Sequence, residues 1–147
     1  MNPKNKICLS LFLVMVLLVL MTLPVAASAP EDADAPLSSA YITNTSATTI
    51  GGNGTITVNF NIVAKSPMTS LGATKIEIKN SSGAVMRTFY ATSSNNMLAS
   101  NKAGHTGSVT YSSATSGAKY YAIVYFKAEN SSGSDTRTKI TGYATAT

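Results

Sequence analysis

The fold is decided by the stretch Thr55-Ile-Thr-Val-Asn-Phe-Asn-Ile-Val-Ala64, in which apolar and polar side chains alternate. Ile, Val, Phe and Ile occupy every second position, and Thr or Asn stands between them. Successive side chains of a β-strand point to opposite faces, so this period of two predicts a strand with one buried and one solvated face.

Outward from this strand, similar short patterns predict six more strands, at residues 41–45, 74–79, 84–91, 108–111, 119–129 and 134 to about 143. Gly, Ser and Asn separate them and are typical of turns. No segment beyond residue 40 has a helical period over eleven residues or more. Seven short strands joined by turns favour an all-β antiparallel sandwich in one domain, residues 40–147.

The N-terminal segment has the three parts of a secretory signal peptide. Two lysines precede an uncharged apolar run at residues 7–23, and Pro24 and the small residues Val25-Ala-Ala27 follow it. We therefore expect a signal peptide of residues 1–27. The other interpretation is an uncleaved membrane anchor, for which residues 7–23 are barely long enough. The first interpretation implies a protein that is secreted (extracellular) or loosely associated with the cell wall.

Residues 28–39 are acidic and rich in Pro and Ala, without periodicity, which predicts a short disordered tether. The formal charge of the chain is +5. Without the two leader lysines, nine basic residues stand against six acidic ones, and this balance argues against a nucleic-acid partner. The only cysteine, Cys8, lies in the leader, so we expect no disulfide and no thiolate metal site in the mature protein.

The segment at residues 122–134 reads Ala-Ile-Val-Tyr-Phe-Lys-Ala-Glu-Asn-Ser-Ser-Gly-Ser. It resembles the penultimate strand and final hairpin of a fibronectin type III or immunoglobulin-like (Ig-like) domain. Over residues 41–147 the chain is also similar to small uncharacterised secreted proteins of Gram-positive bacteria that carry one Ig-like sandwich. It departs from the fibronectin pattern in lacking Trp and in placing its tyrosines at Tyr120 and Tyr121. The resemblance implies an Ig-like sandwich of about seven strands and an extracellular interaction module, without catalytic residues.

Few residues of the chain suit catalysis or metal binding. His105 is the only histidine and falls in the predicted loop at residues 92–107, where a solvated surface role is the simpler interpretation. A zinc site needs several His or Cys ligands, and paired-acid hydrolysis has only Glu77, Glu129 and Asp135 beyond the tether. We therefore expect no catalytic residues, no cofactor and no metal, in a protein that is not an enzyme.

The tetrapeptide Asn-Ser-Ser-Gly occurs at residues 80–83 and again at residues 130–133, each time between two predicted strands. A three-residue hairpin loop ends in a left-handed residue, a conformation that glycine adopts without steric cost. We therefore predict that Asn80 opposes Ala84 and that Asn130 opposes Ser134. Continued along the strands, these registers turn residues 85, 87 and 89, and residues 135, 137 and 139, toward solvent.

These registers and the alternation of residues 119–129 define a candidate binding face on the outer side of one sheet. Aromatic and apolar side chains fill its middle and cations its margins, which suits an anionic polysaccharide, a cell-wall polymer or an acidic protein surface. Its predicted residues are Tyr121, Ile123, Tyr125, Lys75, Lys79, Arg87, Phe89, Lys127, Arg137 and Lys139. We expect the two tyrosines to anchor a partner. The other interpretation is that the first strand, the tether or a second copy covers this face.

Two classes of function remain after these exclusions. The first is a secreted, non-catalytic binding or adhesion module that acts at the cell envelope or outside the cell. The second is a small secreted effector or antimicrobial protein that acts on a target membrane, although no basic amphipathic helix is visible in the sequence. In the first class, contact with a membrane occurs only through the uncleaved leader.

We predict that the secreted form begins at Ser28 and lacks Cys8, because the small residues at positions 25–27 form the cleavage site. Intact-mass measurement on the culture medium of an expressing host checks the new N-terminus. A secreted species that reacts with a thiol reagent, or a protein found only in membranes, would contradict this prediction.

Overall fold

The computed structural model describes residues 39–147, so the predicted signal peptide and residues 28–38 of the predicted tether lie outside the described residues. The described part consists of strands and turns, without a helix. Seven strands have six or more residues: β1 (Ile42–Gly52), β2 (Thr55–Met68), β3 (Ser70–Asn80), β4 (Val85–Tyr90), β6 (Lys102–Tyr111), β7 (Lys119–Asn130) and β8 (Gly133–Ile140). Two strands of two residues each, β5 (Leu98–Ala99) and β9 (Ala144–Thr145), complete the set. Nothing in residues 39–147 forms a helix of the length and apolarity that a membrane span requires.

The strands form two antiparallel sheets that pack as a β-sandwich. The smaller sheet has the order β1-β2-β6. The larger sheet has the order β4-β3-β7-β8, with β5 paired to β3 and β9 paired to β7. The chain therefore crosses between the sheets after β2, β5 and β6, and the all-β architecture expected from the sequence is confirmed at this level.

The core lies between the two sheets and follows the alternation of β2. Ile56, Val58 and Ile62 have no exposed surface, and Phe60 is 3% exposed. The ring of Phe60 meets that of Phe126, on β7 of the other sheet, edge to face with centroids 6.2 Å apart. Aromatic rings prefer this geometry, and the pair joins the two sheets at their centre.

Four strands, β1, β2, β3 and β6, are longer than the sequence predicts, and β1 and β6 differ most. β1 continues to Gly52 because the C-terminal residues pack against it, and a Cβ on Gly51 would lie 1.8 Å from the carbonyl oxygen of Thr145. β6 begins at Lys102, inside the segment predicted to be a loop, and pairs His105 with Ile62 of β2. Its first half contains Ala and Gly in place of large apolar side chains, so it lacks the pattern that marks a strand.

The predicted register of the last hairpin is wrong by one residue. Asn130 pairs with Gly133 instead of Ser134, so the loop has two residues and not three. As a result Asp135 lies opposite Ala128 and Arg137 lies opposite Phe126, and these partners on β7 face the core. A shift by one residue moves every side chain of a strand to the other face. Asp135, Arg137 and Lys139 therefore lie on the inner side of β8.

Residues at and just before the start of β1 contact two of the inward charges of β8, those of Asp135 and Arg137, although the buried Nε of Arg137 has no hydrogen-bond partner. The carboxylate of Asp135 accepts hydrogen bonds from the Ser39 hydroxyl and from the Tyr41 amide, the latter at 2.6 Å. The guanidinium of Arg137 donates to the carbonyl oxygen of Ile42 at 3.3 Å. We call this set of contacts the β1–β8 clasp. Charge buried without a partner would be costly, and the clasp removes most of that cost.

The register of the first hairpin is right at the turn and wrong beyond it. Gly83 has a φ of +85°, the Asn80 amide donates to the Ala84 carbonyl at 3.0 Å, and the predicted loop 81–83 forms. A β-bulge at Met86 then shifts the pairing, so Ile78 lies opposite Arg87. The bulge turns Phe89 toward the core, where it is partly buried, and leaves Thr88 on the outer side. Burial of an aromatic ring in place of a threonine is the physical reason for the shift.

The clasp predicts a specific pH dependence of stability. Hydrogen bonds from the Ser39 hydroxyl and the Tyr41 amide lower the pKa of Asp135 in the folded protein. A carboxyl group with a lowered folded pKa contributes stability above its unfolded pKa and loses it as the pH falls through the folded pKa. We expect Asp135→Asn to lower the free energy of unfolding by about 1 kcal/mol near neutral pH.

Urea unfolding of the wild type and Asp135→Asn between pH 7 and pH 2 measures this contribution. The difference between the two proteins should be constant above about pH 5 and should shrink below about pH 4. A difference that stays the same down to pH 2 would show that the Asp135 charge does not hold β1 to β8.

Candidate binding face

The outer side of the larger sheet carries six of the ten predicted face residues. On β7, Tyr121, Ile123 and Tyr125 alternate with the core residues of that strand. The cross-strand pairs Lys75 with Tyr125 and Lys79 with Tyr121 place these two lysines of β3 on the same side. Lys127, two residues after Tyr125 on β7, is the sixth predicted residue on this side. We call this surface the outer face.

The other four predicted residues do not belong to the outer face. Arg137 and Lys139 lie opposite Phe126 and Val124, so both are on the inner side of β8. Arg87 and Phe89 lie opposite Ile78 and Ile76, so both are on the inner side of β4. Each error follows from a one-residue register shift, which inverts all of β8 and the part of β4 beyond Met86.

Other side chains of β4 and β8 lie on the outer face instead of these four, and the registers predicted from the sequence do not place them there. On β4, Thr88 and Tyr90 join the predicted outer residue Val85, and Tyr90 is 65% exposed beside Lys75. On β8 they are Ser134, Thr136, Thr138 and Ile140, with Ile140 directly opposite Ile123. The repeated Thr at every second position of β8 was a visible signal, because threonine suits a half-exposed strand. The bulge that exposes Tyr90 left no such signal.

Tyr125 is held in place by a network of charged groups. Its hydroxyl donates to Glu77 at 3.2 Å, and the ammonium group of Lys75 lies 4.0 Å from the centre of its ring. Glu77 also accepts from Lys75 at 2.9 Å and lies 3.9 Å from the Lys79 ammonium. The hydrogen bond from Lys75 lowers the pKa of Glu77 more than burial raises it. The ring is thus fixed in one orientation by its hydroxyl and by a cation–π contact.

Tyr121 is on the outer face but has little contact with solvent. It is 7% exposed, and the ring of Tyr143 packs on it edge to face with centroids 5.4 Å apart. Tyr121 therefore supports the outer face from beneath Tyr143, and Tyr125 and Tyr90 are the tyrosines of this face that are more open to solvent. The expectation that Tyr121 anchors a partner directly is wrong, because its ring is covered.

The charge of the outer face is close to balanced. Lys75, Lys79 and Lys127 stand against Glu77 and Glu129, and each of these glutamates lies within 4 Å of a lysine. The margin on β8 is a row of hydroxyl groups and not of cations. This face therefore offers exposed aromatic and apolar surface with hydroxyl neighbours, and its attraction for a polyanion is smaller than the sequence suggested.

His105 lies on β6 and contacts other residues of the sandwich, whereas the sequence predicts a solvated loop residue. Its Nε2 lies 2.9 Å from the carbonyl oxygen of Asn96, and its ring packs edge to face on Phe60 at 5.8 Å. These contacts join β6 to the preceding loop. Within residues 39–147 there is no group of three or more His, Cys, Asp or Glu that could hold a metal ion.

A depression also lies on the opposite side of the sandwich. It is an open groove of about 460 Å³ on the smaller sheet. Its lining is uncharged and comes from β1, β2 and β6, including Ser46, Thr48, Asn59, Asn61, Thr106 and Ser108. Ala47, Phe60 and Gly107 complete the lining, and this uncharged groove provides a natural control surface for binding experiments.

Comparison with protein-family models, with curated proteins and with solved structures found no match for this chain. The function must therefore be argued from the geometry described above.

The network around Tyr125 predicts that two similar glutamates differ in their contribution to stability. The Glu77 side chain is 17% exposed and contacts two lysines and a tyrosine, whereas Glu129 is 43% exposed and contacts one lysine. We expect Glu77→Gln to lower the free energy of unfolding by about 1 kcal/mol, and Glu129→Gln by less than about 0.5 kcal/mol. Chemical denaturation at low and high salt tests this, and equal effects would contradict the network.

Proposed function

We propose that this protein is a secreted, non-catalytic binding module of the Ig-like type, whose outer face docks a polymer of the bacterial cell wall. The single observation that carries the proposal is the outer side of β7. There Ile123 and Tyr125 continue an aromatic and apolar stripe at the centre of a sheet face. A strand side that meets only water normally alternates to polar residues.

The Ig-like assignment is supported by the order of the strands and by one hydrogen bond. In Ig-like domains the strand after the first hairpin passes to the second sheet, as β3 does here. Such domains also carry a tyrosine near the start of the penultimate long strand, whose hydroxyl bonds back to the upstream backbone. Tyr120 at the start of β7 fits this description, because its hydroxyl accepts from the Thr115 amide at 2.8 Å.

Secretion is proposed from the leader sequence, in which two lysines, an apolar run and small residues occur in the order of a signal peptide. A released module that meets the cell wall would use exposed rings and hydroxyl groups, since wall polymers are rich in sugars. The Ser134, Thr136 and Thr138 hydroxyls border the aromatic stripe on one side. Lys75 and Lys79 border it on the other side.

Pre-organisation favours Tyr125 as the centre of this face. Its ring is fixed by Lys75 and Glu77 before any ligand arrives, so little side-chain freedom is lost on binding. Tyr90, on the neighbouring strand β4, adds a second and more exposed ring. The two rings belong to β7 and β4, on either side of β3, and both lie beside Lys75.

A sedimentation assay with purified Gram-positive cell walls tests this proposal. The wild-type protein, taken from culture medium, is mixed with increasing amounts of wall, and the free fraction is measured. We expect Tyr125→Ala to weaken binding by about 1 to 3 kcal/mol, and Tyr125→Phe to retain most of it because the ring remains. Walls stripped of their anionic polymers should still bind, since the outer face is nearly neutral.

Thr48→Ala is the matched control, because Thr48 lies in the uncharged groove on the opposite sheet. It should bind as the wild type does. The proposal fails if the wild type does not sediment with walls, if Tyr125→Ala binds normally, or if Thr48→Ala is the variant that loses binding. The last result would transfer the function to the smaller sheet.

A further inference from the structure

A cleft opens at the side of the sandwich, where β4 of the larger sheet approaches the end of β6 in the smaller sheet. Its volume is about 240 Å³, below the roughly 300 Å³ at which pockets for drug-sized ligands begin. It can hold one small group and not an extended chain. The lining residues are Arg87, Phe89, Thr110, Tyr111, Ser112 and Ser113. We call it the lateral cleft.

The guanidinium of Arg87 is a cation without an ion pair in residues 39–147. It lies 5.5 Å from the centre of the Phe89 ring, which orients it by a cation–π contact. The three carboxylates of this part of the chain contact other groups: Glu77 and Glu129 contact lysines, and Asp135 contacts the beginning of β1. None of the six lining residues is acidic. The donors of Arg87 are therefore available to an anion from outside.

The wall opposite Arg87 is fixed by contacts that lie outside the cleft. The ring of Tyr111 packs edge to face on Tyr120, with centroids 6.2 Å apart. Two backbone amides hold the chain that follows. The Thr115 amide donates to the Tyr120 hydroxyl at 2.8 Å, and the Ala114 amide donates to the Gly54 carbonyl at 3.0 Å. The hydroxyl-bearing residues Ser112 and Ser113 stand between these anchors. Rigid walls lower the cost of ordering a site on binding.

We propose that the lateral cleft binds an oxyanion, a carboxylate or phosphate group, carried on a small unit that packs against Phe89 and Tyr111. A planar guanidinium matches both kinds of oxyanion through two parallel hydrogen bonds. The hydroxyl groups of Ser112 and Ser113 supply further donors, whereas the Thr110 hydroxyl already meets that of Thr57 at 3.0 Å. This site is separate from the outer face, because Arg87 and Phe89 are on the inner side of β4.

The charge of the whole domain supports an anionic ligand. Of eleven Lys and Arg in the chain, two lie in the leader, and of six Asp and Glu, three precede residue 39. Nine cations and three anions therefore remain in residues 39–147, which gives this part a formal charge of +6. A positive field of this kind raises the local concentration of anions at an open cleft.

An NMR titration with four small probes tests the proposal on the mature protein. Glucuronate and glycerol phosphate represent the carboxylate and phosphate sources, and glucose and glycerol are their uncharged counterparts. We expect saturable amide shifts at Ser112 and Ser113 with at least one charged probe and none with the neutral ones. Tighter binding of glucuronate would identify the oxyanion as a carboxylate, and tighter binding of glycerol phosphate would identify it as a phosphate.

Two charge-matched variants separate a site from general attraction. Arg87→Gln should weaken binding of the charged probe by about tenfold or more, since a hydrogen bond to a charged group is lost. Lys102→Gln removes the same charge from an exposed position outside the cleft lining and should leave binding within about twofold of the wild type. Arg87→Lys should fall between them, because lysine cannot form the paired contact.

The thermal midpoint of each variant confirms that Arg87→Gln is folded, and Phe89→Leu provides an independent change of the aromatic wall. Equal shifts with charged and neutral probes would overturn the proposal, as would equal losses in Arg87→Gln and Lys102→Gln. Binding to cell walls is expected to persist in Arg87→Gln, so failure of this site and failure of the outer face give different results.

Discussion

Asp135 holds the first strand to the last long strand, and much of the surface depends on this contact. Its carboxylate faces inward and accepts from Ser39 and Tyr41, while Arg137 reaches the Ile42 carbonyl. An inward carboxylate is tolerated because β8 is an edge strand and β1 supplies donors there. With Asp135 fixed on this side, every second residue of β8 must also lie inside, and the row of Ser and Thr must lie outside.

The same tetrapeptide forms two different turns, which makes the role of context clear. At residues 80–83, Gly83 is left-handed and the loop has three residues. At residues 130–133, Gly133 already pairs with Asn130, and Tyr41 packs so close that a Cβ at this position would lie 3.0 Å from the tyrosine hydroxyl. Tyr41 belongs to the segment that the β1–β8 clasp holds in place. The two-residue turn at residues 130–133 therefore forms together with a hydrogen bond between Tyr41 and Asp135, which are more than ninety residues apart in sequence.

The registers of these two hairpins decide which side chains lie on the outer face and which line the lateral cleft. The bulge at Met86 removes Arg87 and Phe89 from the outer face and places them in the lateral cleft with Tyr111. The outer face becomes nearly neutral and centred on Tyr125, whereas Arg87, which has no ion pair within residues 39–147, stands at the side of the sandwich. The proposed wall-binding surface and the proposed oxyanion site are therefore separate consequences of the two hairpin registers.

The sequence alone determined the all-β class, the approximate positions of seven strands and the inward residues of β2 and β7. Each of these follows from the alternation of side chains within one strand, a local property that burial enforces. It did not determine hairpin register, the length of β6 or the occupants of either surface. Register depends on which face of an edge strand finds partners, and those partners, such as Tyr41 for Asp135, are distant in sequence. Tertiary structure alone brings them together, so it alone decided which side chains of β4 and β8 meet a ligand.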